Sequence, residues 1–129
     1  MKFATMLYST DEAMRPDDFA VATEERGFES VWYPEHTHIP ASRRTPFPGG
    51  GDLPRDYWHM HDPFIALTAA ATATKTIKIG SGVCLITERD PIVTAKEVAT
   101  LDFLSRGRFL FGIGAGWNAE EMENHGTKF

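Results

Sequence analysis

Residues 28–40, FESVWYPEHTHIP, run from an apolar, β-prone stretch (Phe28 to Pro34) straight into one carboxylate and two imidazoles, Glu35, His36 and His38. Side chains alternate sides along an extended chain, so His36 and His38 are expected to project one way and Glu35 another. Two imidazoles delivered together at a strand end point to a site. A segment rich in turn formers follows, Glu35 to His61, carrying Pro40, Pro46, Pro48, Pro54 and the run Gly49-Gly50-Gly51. Connections longer than about 12–15 residues in a compact domain are usually functional or disordered.

The stretches on either side repeat one alternation. Lys2 to Tyr8 is a β-prone run, and after a turn at Ser9 to Met14 a helix is predicted with Pro16 at its first position and Gly27 as its stop. Downstream, Asp62-Pro63 reads as an N-cap and first helical residue of an alanine-rich helix ending near Thr74, and Thr76 to Ile86 reads as the third strand. Asp90-Pro91 repeats the device before a helix whose Ile92, Ala95, Val98, Ala99, Leu101 and Leu104 are spaced by threes and fours, stopping near Gly107. Arg108 to Ile113 is the fourth strand, and Asn118 with Glu121 three residues on resembles an N-cap with a partial capping-box partner. The result is an α/β pattern of four strands alternating with helices. Such alternation implies parallel pairing through right-handed crossovers, so the C-terminal strand ends share one face. Ser9–Met14, Glu35–His61, Thr87–Asp90 and Gly114–Asn118 then gather where parallel α/β proteins bind ligands.

Composition narrows the function classes. A chain of 129 residues, 42% hydrophobic and 24% charged, fits one globular domain. The net charge of -5 and the scattering of thirteen Lys and Arg residues supply no basic field, so nucleic acid is not an expected partner. Cys84 stands alone in an apolar run, which suits a small buried hydrophobe in a reducing compartment. No apolar stretch approaches about 18 residues, and the N-terminus lacks a signal-peptide pattern. The expectation is a cytoplasmic protein with no membrane partner.

Several residues invite chemical readings. One assigns His36 and His38, with His59, His61 and Asp62, to the metal shell of a His-x-His hydrolase, although such barrels carry the pair on the first strand rather than the second. Another has the histidines merely satisfying loop carbonyls, which weighs less on His36 because it lies nearest the strand end. Gly112, Gly114 and Gly116 make a glycine-rich strand exit that does not meet G-x-G-x-x-G. Gly80-Ser81-Gly82 interrupts a strand, as glycines do at bulges and close backbone approaches. Trp32, Trp58 and Trp117 can line an apolar pocket or simply pack.

Taken in order, Gly27-Phe28-Glu29-Ser30-Val31-Trp32, Pro34-Glu35-His36, Ile79-Gly80-Ser81-Gly82-Val83, Asp90-Pro91 and Gly112-Ile113-Gly114-Ala115-Gly116-Trp117-Asn118 resemble the bacterial-luciferase-like superfamily, in particular its deazaflavin-dependent branch. The resemblance implies the N-terminal half of a (β/α)8 TIM barrel, and an oxidoreductase or monooxygenase that binds coenzyme F-420 or FMN at the C-terminal strand ends, with F-420 favoured. It places His36 as the catalytic histidine beside the reactive ring; Glu35, the second catalytic candidate, reads from its position as orienting His36, contacting the loop, or standing as a solvated loop carboxylate. It implies cofactor contacts from Gly82, Val83, Gly114, Gly116 and Asn118, a cis Gly82–Val83 peptide in a bulge, no metal, a small-molecule substrate and a homodimer. Where sugar-phosphate dehydrogenases of the superfamily place a proton-donating glutamate, this chain has Trp117. An eight-stranded barrel takes about 250 residues, so residues 1–129 are expected to be one truncated portion of such a domain. The alternative is a non-catalytic half barrel that pairs with a partner through the exposed edges of its first and fourth strands.

Overall fold

β1 (Ala4–Met6), β2 (Ser30–Tyr33), β3 (Lys78–Ser81) and β5 (Phe109–Leu110) pair in that order, all parallel, in a computed structural model that describes residues 1–129. The register sets Met6 beside Trp32, Trp32 beside Gly80 and Ile79 beside Phe109. Period-two alternation then sorts the sheet's faces. Val31, Tyr33 and Ile79 are buried in the core with Ala20, Phe64, Leu67, Ala70 and Leu101, which α1 (Pro16–Glu25), α2 (Pro63–Ala73) and α3 (Pro91–Leu104) bring down on that side. The opposite face carries Trp32, whose ring lies across Gly80 so closely that a Cβ there would come within 2.4 Å of it.

The helix ends follow the predicted chemistry. Proline opens all three long helices, Asp62 accepts from Ile65 N at 3.0 Å, and Asp90 accepts from Ile92 N and Val93 N at 2.9 and 2.8 Å. These bonds satisfy amide groups that a helix start leaves without partners. Gly27 and Gly107, both at φ of 75°, follow α1 and α3 as terminating residues.

Two predicted strands are not continuous. Thr76–Ile86 divides into β3 and β4 (Cys84–Leu85), and Arg108–Ile113 divides into β5 and β6 (Ile113–Gly114); β4 and β6 pair in parallel as a separate two-stranded ladder. The interruption is shared. Ser81 Oγ donates to Gly112 O at 2.8 Å and accepts from Gly112 N at 3.1 Å, so a side chain enters the ladder where backbone pairing would continue. A Cβ on Gly112 would stand 2.3 Å from Ser81 O, and the Gly82–Val83 peptide is cis, as the resemblance implies. The first strand is also shorter than Lys2–Tyr8, although Leu7 N still reaches Trp32 O at 3.0 Å. α4 (Ala119–Asn124) begins after Asn118, and no helix is long and apolar enough to cross a membrane.

Glu24, near the end of α1, ties the helix layer to the start of β3. Its carboxylate accepts from the backbone N–H of Lys75, Thr76 and Ile77. Burial opposes ionisation here, but these donors outweigh it and hold the carboxyl at about 2. A depressed pKa means stability that is present above the ordinary carboxyl range and lost as pH falls through 2. Glu24→Gln is therefore expected to lower the Tm at pH 7 and to narrow the gap to wild type steadily as pH drops from 4.5 to 2, as followed by thermal unfolding. A gap independent of pH would contradict this role.

Candidate active site

Past Tyr33 the chain leaves the sheet but keeps alternating. Glu35 turns toward β4 and α3, where Oε2 accepts from Leu85 N at 2.6 Å and Oε1 accepts from the Arg89 guanidinium, from Nε at 2.7 Å and also from Nη2. Arg89 reaches Asp62 and Glu97 as well, both at 3.1 Å, and lies over the Phe64 ring. Glu35 is 3% exposed. Glu35 lines the same cleft as His36, and both of its oxygens join the end of β2 to Leu85 N in β4 and to Arg89 ahead of α3 rather than bonding to the imidazole. The same environment pushes the Cys84 thiol up to about 12, first through burial and then through the Glu35 charge, so it is a buried, unreactive thiol.

His36 faces the other way, and its partner is Glu121 on α4. His36 Nδ1 lies 2.6 Å from Glu121 Oε2, while the Trp117 indole N–H donates to His36 Nε2 at 3.1 Å. Because indole nitrogen only donates, Nε2 is the acceptor and Nδ1 carries the proton given to Glu121. Glu121 Oε1 also accepts from Thr37 N at 3.1 Å. Glu121 had the sequence position of a capping-box partner. Asn118 does cap α4, accepting from Glu121 N at 3.2 Å, but the Glu121 side chain serves His36 instead.

The adjacent Glu120 pins the long loop. It accepts from Ser42 Oγ at 3.0 Å, Arg44 N at 2.6 Å, and the backbone N–H and hydroxyl of Thr45. The Thr45 hydroxyl, ahead of the other donors, holds its carboxyl at about 2. At its far end the loop returns to the first turn through His61 N to Ser9 O at 2.7 Å and a Thr10–Met60 bridge. Consecutive glutamates on one short helix thus hold the histidine and the loop that covers it.

Beside His36 is a cleft of 310 Å³ lined by Tyr8, Tyr57, Met60, Val83, Leu85 and Trp117, together with Gly82 and Gly116. The His36 ring lies 5.3 Å from Tyr57 and 5.5 Å from Trp117, and Phe47 packs edge-on against both. Tyr57 meets the Tyr8 hydroxyl at 3.4 Å, and burial followed by that contact raises its hydroxyl to about 12, so it is a hydrogen-bond donor at neutral pH. Across Trp117 a second pocket of 430 Å³ opens between Ile39, Arg43, Phe47, Leu53 and Trp58. Of the residues expected to touch a cofactor, Gly82, Val83 and Gly116 line the cleft. Gly114 instead backs Val83, whose Cγ2 would lie 2.6 Å from a Cβ there, and Asn118 lines the second pocket while its side chain caps α4.

The other histidines are dispersed. His38 Nε2 lies 2.9 Å from Asn124, His59 Nδ1 is 2.9 Å from Asp11, and His61 Nδ1 is 3.0 Å from Ser9 Oγ. The metal-shell reading required them to converge with His36, and no group of three or more His, Cys, Asp or Glu side chains is placed to hold an ion.

The cleft is apolar, carries one tautomer-fixed imidazole and lies at the C-terminal ends of parallel strands, the end at which α/β barrels bind ligands. Residues 3–129 match the luciferase-like monooxygenase family, and the chain belongs to it. A protein of Mycobacterium tuberculosis, the uncharacterized protein Rv0953c, is 42% identical over 98% of this chain and 46% of its own length. The F420-dependent glucose-6-phosphate dehydrogenase of Amycolatopsis mediterranei is 31% identical over 87% of this chain and 30% of its own. Among solved structures, the coenzyme F420 dependent tetrahydromethanopterin reductase from Methanopyrus kandleri superposes with a TM-score of 0.67 at 27% identity, covering 99% of this chain and 30% of that one. The chain spans less than half the length of these relatives, and its parallel sheet and helices correspond to part of a luciferase-like TIM barrel.

Proposed function

We propose that this chain carries the active-site half of a flavin- or deazaflavin-dependent oxidoreductase acting on a small organic substrate, with F-420 favoured over FMN. The observation that carries the reading is His36, held by Glu121 and Trp117 at the edge of the cleft beside Gly82 and Val83. The residues present suit a flat tricyclic ring. Val83, Leu85 and Met60 offer apolar wall, Gly82 and Gly116 leave room for close backbone approach, and His36 with Tyr57 are the polar groups at the edge. The preference for F-420 rests on relatives whose names carry that coenzyme.

When bound, such a cofactor supplies hydride transfer, or oxygen activation in the FMN case. The chain's own groups orient and handle protons. His36 Nε2 is the basic atom nearest the cleft, and release of the Trp117 N–H leaves it free to hold or accept a proton, with Glu121 at Nδ1 stabilising the charge that develops. Tyr57 donates a hydrogen bond without ionising. Trp117 stands where sugar-phosphate dehydrogenases of this superfamily have a proton-donating glutamate, so an apolar or aromatic substrate packed against Trp117, Phe47 and Tyr57 fits better than a sugar phosphate. A cytoplasmic homodimer completes the proposal.

Titration of the intact protein with F-420 and with FMN, followed by fluorescence, tests the cofactor. Saturable binding of F-420, tighter than FMN, is the expected result. Binding of neither one overturns the proposal.

A further inference from the structure

Glu88 is a buried carboxylate beside the site that the mechanism above does not use and to which no structural role has been given. It closes the short turn Ile86–Glu88 after β4, is 8% exposed overall with its side chain 1% exposed, and its Oε1 is buried without a hydrogen-bond partner. That orphan oxygen lies beneath the cleft floor, 3.4 Å from where a Cβ on Gly116 would be. Every group facing it is accounted for. Glu121 and His125 approach from α4 and its C-terminal cap, and Glu35 and Thr37 approach from the segment after β2; Arg89, the next residue, is turned to Glu35. Two of the facing charges are thus carboxylates, Glu121 and Glu35, and His125 Nε2 stands off at 3.8 Å.

Two buried carboxylates in contact cannot both ionise without a large electrostatic cost. Thr37 links the two residues, its hydroxyl donating to Glu88 Oε2 at 3.5 Å and its N–H to Glu121 Oε1 at 3.1 Å, and a bond between two carboxyls requires a proton on one of them. Glu121 is already an acceptor on both oxygens, from His36 Nδ1 and Thr37 N. Glu88 has one oxygen with nothing donating to it. We infer that Glu88 is a positioning residue of this site: it is a neutral carboxylic acid at neutral pH, donates its proton to Glu121, and so completes a Glu88–Glu121–His36 chain that fixes the imidazole. Burial first, and then the charges of Glu121 and Glu35, raise its carboxyl to about 8, in keeping with that assignment. The role in positioning rests on the function proposed above; the buried proton does not.

Infrared difference spectroscopy of the intact protein, with isotope-labelled glutamate, tests the proton without cofactor or substrate. At pH 6 to 7 wild type should show a protonated-carboxyl band that is absent from Glu88→Gln and that titrates away near pH 8. A raised pKa means stability present below the ordinary carboxyl range and lost as pH rises through about 8. The Tm of wild type should therefore fall more between pH 6 and 9 than that of Glu88→Gln, whose amide can still donate to Glu121. With a working assay, the inflection near pH 8 in kcat/KM should disappear in Glu88→Gln, while Glu88→Ala, with no donor, should lose activity that the glutamine variant retains. A band unchanged in Glu88→Gln, or no band at pH 6, would overturn the inference. A band that behaves as stated in a protein that binds neither F-420 nor FMN would leave the neutral Glu88 in place and remove the cofactor reading alone.

Discussion

On the function proposed above, His36→Ala is expected to lower the turnover of the intact protein by about 10² to 10⁴, the range for losing a positioned acid or base, and to leave the fold in place. The expectation follows from Nε2 at the cleft edge and from two partners, Glu121 and Trp117, that fix the ring's tautomer. His38→Ala costs far less, because that ring lies against His125 and bonds to Asn124 rather than facing the cleft. Steady-state kinetics on the two variants, with circular dichroism to confirm folding, gives the comparison. Equal losses in the two would place the proton chemistry elsewhere.

Glu35→Ala has the opposite signature, a large loss of stability. Removing one member of a buried ion pair leaves the other charge uncompensated and costs about 3–5 kcal/mol, and Glu35 also satisfies Leu85 N. Arg89 keeps Asp62 and Glu97 as partners, which favours the lower end of that range. A fall in Tm on the order of 10 °C is expected for a domain of this size. A change of only a degree or two would mean that the Glu35–Arg89 pair does not hold the end of β2 to α3.

Local chemistry made the helices legible. Asp62-Pro63 and Asp90-Pro91 specify their own N-caps within a few residues, and the structure keeps both starts. Alternation past Tyr33 was also readable, since Glu35 does part company with His36. The destinations were not readable, because the partners are remote in sequence. Glu121 lies 85 positions from His36, and its spacing from Asn118 suggested a cap that its side chain does not form. Arg89 lies 54 positions from Glu35. The broken third and fourth strands had a visible sign in their glycines. The cause, Ser81 bonding to both backbone groups of Gly112, needs the two strands already side by side. Gly80 is explained by a neighbour across the ladder, Trp32, that no local pattern names.

The central claim is that His36 serves a flavin or deazaflavin ring seated in the cleft beside Gly82 and Val83. A crystal structure of the intact protein with F-420 bound tests it most directly. The account predicts the ring against Val83 with its reactive edge within about 2.6–3.2 Å of a His36 nitrogen, or one water away, and the Trp117–His36 bond rearranged to admit it. A ring bound outside this cleft, with His36 still closed between Glu121 and Trp117, would contradict it.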